Sequence, residues 1–262
     1  MLMMIKTVDI NCDMGEGFGP YSIAQDDEML DIATSANLAC GFHAGDFTIM
    51  ADICSQAKAR GVAVGAHPGY PDLWGFGRRH QDFSKSEIKQ MLAYQIGAAW
   101  AIAKSVGHKL TFVKAHGALG HLVADDEMAA SALIETIKEV NDELILSVMA
   151  GVTLEQMAES AGLNIVREIY ADRAYQDNGR LVPRGQPGAV IHDGQEAAKR
   201  VLAMVQEGAI ITQSGKRIAA DIDTICVHGD THGAVAMART LKKTLESSGL
   251  EIAPYSQRFE QV

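Results

Sequence analysis

Short strand-like segments alternate with helix-like segments along almost the whole chain of 262 residues. Seven segments are predicted as strands: one that begins at residue 8, then 36–39, 62–66, 110–113, 144–148, 164–170 and 224–227. A helix is predicted after each of them, at 26–33, 47–60, 84–106, 125–140, 152–160 and 193–206, with a last helix that ends near 247. Because parallel strands must be joined by crossover connections, this alternation predicts an α/β fold with a parallel sheet.

Polar side chains follow six of these predicted strands, at Asn11, His43, His67, Lys114, Glu168 and His228. In an open doubly wound sheet, only the strands beside the switch point contribute to a ligand site, whereas all strands of a closed barrel surround one mouth. The even spread of polar residues favours the barrel. We therefore predict a TIM-like barrel of about seven strands, formed by residues 1–262 as a single domain.

The first predicted strand leads into a glycine-rich turn within DINCDMGEGFG at 9–19. Apolar and polar residues alternate up to Cys12, and glycines then follow at 15, 17 and 19, which is typical of a backbone that approaches something closely. Asn11, Asp13 and Glu16 therefore lie at or just beyond the carboxyl end of the strand, where parallel α/β folds bind ligands. For this turn alone, acids that merely bond backbone amides are the alternative.

Ionisable side chains are concentrated just after the predicted strands. Five of the nine histidines are found there, namely His43, His67, His116, His228 and His232. The carboxylates are Asp13, Glu16, Glu168, Asp172 and Asp230, and the cations are Arg78, Lys114 and Arg173. Imidazole and carboxyl groups can transfer protons, and the cations can neutralise a substrate carboxylate or a phosphate. The pattern indicates an active site for an anionic small molecule.

The longest irregular segment, AYQDNGRLVPRGQPGAVIHD at 174–193, follows the sixth predicted strand. It contains three glycines and two prolines together with Arg180 and Arg184. Loops of this length in a compact domain usually act as lids or binding loops. We expect one of these roles here.

Three motifs of other enzyme classes are absent. Gly215-Lys216 is followed by Arg217 and has no glycine at position 210, so it is not a Walker A loop; the first turn reads G-x-G-x-G rather than the Rossmann G-x-G-x-x-G, and no G-x-S-x-G elbow occurs. His228 and His232 are four residues apart, a spacing that suits a metal on a helix but has no such meaning in a loop. The sequence therefore leaves a divalent metal open.

The formal net charge of -10 argues against a nucleic-acid partner, because phosphate binding requires a basic surface. No apolar run is long enough to cross a bilayer, and the first ten residues lack the basic start of a signal peptide. The four cysteines, Cys12, Cys40, Cys54 and Cys226, show no C-x-x-C spacing. We expect reduced, mostly buried thiols in a cytoplasmic protein.

Six segments carry a resemblance to a known family: DINCDMGEGFG, SANLACGFHAGD, VGAHPGYPDLWGFGRR, VKAHGALG, EIYADRAYQDNGRLVPRGQPGAVIHD and ICVHGDTHGAV. In this order they resemble the LamB/YcsF family over nearly the whole chain. That family is similar to the glycoside hydrolase/deacetylase class of irregular (β/α) barrels, which agrees with the fold predicted above.

The resemblance implies ATP-dependent opening of 5-oxo-L-proline to L-glutamate together with two partner proteins, 5-oxoprolinase subunits B and C (PxpB and PxpC). The five-membered lactam is a stable amide, and phosphorylation of the amide oxygen would make it a better electrophile. A carboxylate or imidazole could then activate water, while cations hold the phosphate and the substrate carboxylate. Whether ATP is bound by this chain or by the complex stays open.

The residues and the resemblance together predict two sets of functional side chains. The catalytic set is Asp13, Glu16, His43, His67, His116 and Glu168. The set that binds the substrate or its phosphate is Asn11, Arg78, Lys114, Asp172, Arg173, His228 and Asp230.

This chain also departs from the family pattern near the predicted mouth. Ala115 replaces the proline of K-P-H-G-A-L-Y-N, Gly120 and His121 replace its Tyr-Asn pair, and His232 replaces the proline of H-G-D-T-P. These differences leave open another lactam or cyclic amide as the substrate.

Two other functions remain open at this level. The fold class, Asp13 and the surplus histidines suggest a metal-dependent deacetylase or amidase that acts alone, without ATP or partners. The other is a ligand-binding protein whose chemistry takes place in its partners. Such a protein would bind 5-oxoproline tightly, and substitutions at its mouth would leave the chemical step unchanged.

Overall fold

The strands of the computed structural model, which describes residues 7–229 and 233–259, form a closed barrel. They are β1 Thr7–Met14, β2 Ser35–Ala39, β3 Ala63–His67, β4 Leu110–Val113, β5 Ile145–Met149, β6 Ile165–Tyr170, β7 Ala209–Ile211, β8 Arg217–Ala219, β9 Thr224–Cys226 and β10 Glu251–Ile252. Strands β1 to β6 pair in chain order, and β9 pairs in parallel with both β6 and β1. The predicted barrel of seven parallel strands is therefore confirmed.

Eight helices are found in the described part of the chain: α1 Asp26–Leu30, α2 Phe47–Arg60, α3 Lys85–Ser105, α4 Gly117–Asp125, α5 Glu127–Asn141, α6 Thr153–Ser160, α7 Gly194–Glu207 and α8 Ala234–Ser247. A short 3-10 turn follows at Tyr255–Arg258. Among the described helices, none combines the length and the apolar character that a membrane span needs.

Side-chain caps start the helices where the sequence predicts them. Asp46 accepts hydrogen bonds from the backbone N–H groups of Thr48 and Ile49 at the start of α2. Ser84 and Glu87 form a reciprocal capping box at the start of α3. Such caps satisfy donors that the first helical turn leaves unpaired, so they define where each connection leaves the strand ends.

The structure differs from the prediction between β4 and β5. The helix predicted over 125–140 is in fact two helices, α4 and α5, which are separated by Asp126, the cap of α5. The sequence of α4 begins with Gly117, which had indicated a loop. A Cβ at Gly117 would collide with the carbonyl oxygen of Gly77, so glycine allows α4 to pack closely on the loop after β3. The β7–β8 hairpin and the short β10 were likewise not predicted.

The side chains of β1 alternate between the surrounding helices and the barrel interior. Its apolar residues belong to the hydrophobic core, whereas Asp9, Asn11 and Asp13 form polar contacts with residues of other strands. The amino end of the barrel is closed by a separate buried cluster of Ala63, Phe112, Ile145, Val166 and Tyr255. The polar residues therefore occupy the part of the interior nearest the carboxyl ends.

Candidate active site

A cavity of about 550 Å³ opens at the carboxyl ends of the barrel strands. Eight of the residues predicted for the site line it: Asp13, His67, Arg78, Lys114, His116, Glu168, Arg173 and His228. These residues lie on β1, β3 and β6 or in the loops after β3, β4, β6 and β9. The closed barrel therefore brings side chains from distant parts of the sequence to one place.

The other predicted site residues have different positions. Asn11, Glu16 and His43 are buried against the wall of the cavity and do not line it. Asp172 is also buried and is bonded to His228. Asp230 and His232 lie outside the described residues.

Lys114 lies at the centre of the site and is buried. Its Nζ atom is 2.7 Å from Glu168 Oε1 and 3.3 Å from Asp13 Oδ1, and it donates a hydrogen bond of 3.1 Å to Asn11 Oδ1. Burial disfavours the charged ammonium, but attraction to the two carboxylates outweighs burial and raises the pKa of Lys114 well above its usual value. The site therefore keeps a permanent positive charge beside the cavity.

Asp13 is the carboxylate that faces both this ammonium and the histidines. Its Oδ1 atom accepts a hydrogen bond of 2.8 Å from Asn37 Nδ2 and is 3.4 Å from His67 Nε2. Burial acts to raise the pKa of Asp13, but the positive charges of His67 and Lys114 hold it well below its usual value. Asp13 is thus an ionised proton acceptor at the cavity surface.

His67 and His116 are held by two backbone carbonyl groups. His67 Nδ1 is 2.7 Å from the carbonyl oxygen of Lys114, and His116 Nε2 is 2.8 Å from that of Phe76. A carbonyl oxygen can only accept, so both ring nitrogens donate, which assigns the tautomers from their partners. The remaining nitrogens, His67 Nε2 and His116 Nδ1, face each other at 3.0 Å.

His43 and Glu16 complete this group of histidines. The ring of His43 stacks on that of His116, with centroids 3.7 Å apart. Glu16 Oε1 is 3.4 Å from His43 Nε2 and 3.6 Å from His116 Nδ1. Burial, followed by repulsion from neighbouring histidines, lowers the pKa of His43 well below its usual value and that of His116 to about 3. Both rings are therefore neutral at physiological pH.

His228 and Asp172 form a second pair on the opposite side of Lys114. His228 Nδ1 is 2.8 and 2.9 Å from the two carboxylate oxygens of Asp172, and its ring stacks on Tyr170 with centroids 5.5 Å apart. Burial acts to raise the pKa of Asp172, but the attraction and hydrogen bond of His228 outweigh burial and lower it. Asp172 thus orients His228, whose Nε2 is left for a ligand.

Arg173 supports the long loop as well as lining the cavity. Its guanidinium donates to the carbonyl oxygens of Val182 at 2.7 Å and Ala189 at 3.4 Å. Burial, and then repulsion from Arg184, lowers the pKa of Arg173 below its usual value. The loop at 174–193 therefore brings a second guanidinium, Arg184, to the cavity wall. This agrees with the predicted role as a lid or binding loop.

Three cavity residues were missing from the predicted site: His121, Tyr170 and Arg184. Tyr170 ends β6 and looked like an ordinary strand former, although Lys114 Nζ lies 5.4 Å from its ring centroid. His121 is on α4, a helix that the sequence prediction omitted. Arg184 was noted only as part of the loop, and a positive charge in a glycine- and proline-rich segment was the one signal that could have identified it.

Two groups of side chains have the donor atoms and spacing of a metal-binding site. Glu16, His43, His67 and His116 form one group; Asp13, Cys226 and His228 form the other. The ligand atoms of each group lie within 4.8 Å of one another. The first group contains the neutral imidazoles and the carboxylate that metals such as zinc prefer, whereas the second is next to the ammonium of Lys114.

The four cysteines are all buried and free, as the sequence predicted. Burial raises the pKa of Cys226 well above its usual value even though Lys114 Nζ lies 3.1 Å from its sulfur. Burial likewise raises the pKa of Cys12. Because the thiolate is the reactive form, neither residue is suited to act as a nucleophile at neutral pH.

Comparison with known proteins places this arrangement in context. The model of the LamB/YcsF family matches residues 8–260. A 5-oxoprolinase A-subunit of Bradyrhizobium diazoefficiens, the one numbered 2 in that organism, is 52% identical over 254 residues, which cover 97% of this chain and 99% of that protein.

Two solved structures are similar in fold. The lactam utilization protein from Thermus thermophilus superposes with a TM-score of 0.90 at 42% identity, covering 95% of this chain and all of that one. The T48 deacetylase, solved with its substrate, superposes with a TM-score of 0.50 at 12% identity, covering 98% of this chain and 92% of that one. The second likeness concerns the fold alone and agrees with the predicted deacetylase-type barrel.

Proposed function

Because this chain belongs to the LamB/YcsF family, we propose that it is the A-subunit of an ATP-dependent 5-oxoprolinase, a hydrolase that opens the lactam of 5-oxo-L-proline to give L-glutamate. The main support is 52% identity over 97% of the chain to a relative named as a 5-oxoprolinase A-subunit. The cavity supports the proposal independently, because it holds an ionised carboxylate, a buried ammonium and two arginines within one space.

The chemistry of the lactam explains why such a set of charges is needed. Water attacks an unactivated amide slowly, and transfer of a phosphoryl group from ATP to the amide oxygen creates a better electrophile. In the proposal, Asp13 accepts a proton from the attacking water, and Lys114 stabilises the negative charge that develops on the oxygen. Glu168 keeps Lys114 charged and in place from the side opposite Asp13.

The anionic parts of the substrate require separate partners. We assign the carboxylate or phosphate to Arg78, Arg173 and Arg184, whose guanidinium groups can bind either anion with two hydrogen bonds. His228, which is oriented by Asp172, can donate to the same anion or protonate the departing ring nitrogen.

The relatives carry the name of one lettered component of 5-oxoprolinase, which points to a complex of several proteins. We propose that subunits B and C are the partners of this chain and that ATP is bound within the assembled complex. The proposed location is the cytoplasm, where ATP is available and where thiols such as the four buried cysteines stay reduced.

One observation favours a second candidate function. The group of Glu16 and three histidines is the kind of site on which a metal-dependent deacetylase or amidase could act without ATP. That enzyme would release acetate or open a cyclic amide as an isolated chain.

An assay with purified components separates the two functions. Glutamate formation from 5-oxo-L-proline is measured with this chain, both partner proteins and ATP, and again with each component left out. The proposal predicts glutamate and ADP only when all components are present. Hydrolysis by the isolated chain without ATP would contradict the proposal and support the deacetylase or amidase.

A further inference from the structure

The group formed by Glu16, His43, His67 and His116 contains a contact that its own hydrogen bonds do not explain. His67 uses its Nδ1–H for the carbonyl oxygen of Lys114, and His116 uses its Nε2–H for that of Phe76. In their neutral forms, the two rings therefore direct lone pairs at each other across 3.0 Å. Two lone pairs at this distance repel each other unless a cation lies between them.

His43 adds a second unexplained feature. Its side chain is buried, and within residues 7–229 and 233–259 neither ring nitrogen forms a hydrogen bond. Burial of a polar group without a partner costs about 1–3 kcal/mol. The stacked rings of His43 and His116, with centroids 3.7 Å apart, keep this ring beside the facing nitrogens of the group.

The spacing of the donor atoms matches the coordination shell of a small ion. Two ligands about 2.1 Å from one zinc ion and at the tetrahedral angle are about 3.4 Å apart. Here the separations are 3.4 Å for His43 Nε2–Glu16 Oε1, 3.6 Å for His116 Nδ1–Glu16 Oε1 and 3.0 Å for His116 Nδ1–His67 Nε2. All four donors lie within 4.8 Å of one another.

The surrounding backbone holds the ring of His116 in the required tautomer. Phe76, whose carbonyl oxygen accepts from His116, has a φ of 55°, which is strained for an aromatic residue. A carbonyl group behind a ligating histidine is the usual outer partner that orients the ring towards a metal. His67 has the same kind of partner in the carbonyl group of Lys114.

We propose that Glu16, His43, His67 and His116 bind one divalent transition-metal ion, with zinc the best match to a set of imidazole and carboxylate ligands. An ion here would act as a Lewis acid beside Asp13 and Lys114, at the wall of the cavity. The inference goes beyond the proposed 5-oxoprolinase activity. It is tested without substrate, ATP or partners, so that either proposal can fail while the other holds.

The test measures metal binding by the whole chain. Protein purified without chelator is analysed for metal, stripped, and titrated with Zn²⁺ in competition with a fluorescent chelator. We expect one equivalent in the wild type, binding at least tenfold weaker in His67→Gln and in His116→Gln, and unchanged binding in the control His121→Gln, which alters a cavity histidine outside the group. No stoichiometric uptake by the folded wild type, or equal affinity in all variants, would overturn the proposal.

A second measurement covers variants that do not fold. Ring ¹⁵N chemical shifts of the wild-type histidines are recorded before and after addition of Zn²⁺. Metal binding predicts shifts at His67 Nε2 and His116 Nδ1, while the two nitrogens bonded to carbonyl groups stay protonated. If the facing nitrogens instead share a proton and do not respond to Zn²⁺, the group is a hydrogen-bonded pair and the proposal is wrong.

Discussion

Replacement of Lys114 by methionine tests whether the site is held together by opposite charges. Methionine keeps much of the length of the side chain but removes the ammonium that lies 2.7 Å from Glu168 and 3.3 Å from Asp13. Both carboxylates are buried, so each loses its main compensating charge. Loss of one member of a buried ion pair typically costs about 3–5 kcal/mol, and we expect Lys114→Met to lower the free energy of unfolding by about that amount near pH 7.

The cost in this variant should depend on pH in a definite direction. Without Lys114, the two carboxyl groups repel each other in a buried site, so at least one folded-state pKa rises above its unfolded value near 4. A group with a raised pKa takes up a proton on folding, which favours the folded state at low pH and is lost as the pH rises through the folded pKa. A rise of two pKa units would make the variant about 2.7 kcal/mol less stable at pH 7 than near pH 4, relative to a chain without this shift.

The wild type has the opposite dependence at this site. The pKa of Asp13 lies below its usual value in the folded protein, so its contribution to stability is present above the unfolded pKa and is lost as the pH falls through the folded pKa. The stabilities of wild type and Lys114→Met should therefore converge at acidic pH.

The assay is urea unfolding of both proteins, followed by circular dichroism between pH 4 and pH 8. Lys109→Met is the matched control, because Lys109 is an exposed lysine just before β4. A loss below about 1 kcal/mol in Lys114→Met, with the same pH dependence as in the control, would refute the argument that Lys114 compensates two buried carboxylates.

Three further substitutions test other parts of the structure. Arg184→Gln should raise the KM for 5-oxoproline about tenfold or more and change kcat less, because it removes a charge-assisted bond of about 1.5–3 kcal/mol to the substrate anion; steady-state kinetics of the complex would show this, and an unchanged KM would remove Arg184 from the site. Gly65→Ala should lower stability by about 1–3 kcal/mol or more in chemical unfolding, since its Cβ would overlap the ring of the buried Phe112; wild-type stability would contradict this packing. Ser84→Ala should cost about 1 kcal/mol, because the capping box with Glu87 is lost at the start of α3, and a thermal melt identical to wild type would argue against that cap.

The barrel could be predicted from sequence because its signals are local. Each strand is a short apolar run that a helix follows, and caps such as Asp46 and Ser84 mark where two of those helices start. The closure of the sheet followed from the even spread of polar residues over the strand ends. The pairing of β9 with β1 then brings His228 and Asp13 to the same cavity.

The details of the site depend on contacts that the sequence does not display. Asn11 was predicted to bind substrate, but its amide donates to Glu168 and Thr224 within the barrel, so it positions charged groups instead of lining the cavity. Helix α4 was missed because Gly117 and Gly120 resembled a loop. Their lack of side chains is needed for close approach to the backbone at 77 and 115, which becomes apparent only in three dimensions.

The proposed roles of the individual residues depend most directly on Asp13. The measurement is ATP-dependent glutamate formation by the complex of this chain with both partner proteins, comparing wild type, Asp13→Asn and the control Asp142→Asn, which changes an exposed carboxylate at the end of α5. Assembly of each complex is checked by size-exclusion chromatography. The account predicts that Asp13→Asn assembles normally but forms glutamate at least about 100-fold more slowly, as expected for loss of a general base, while the control keeps the wild-type rate. Turnover of Asp13→Asn at the wild-type rate would contradict the assignment of lactam hydrolysis to this cavity.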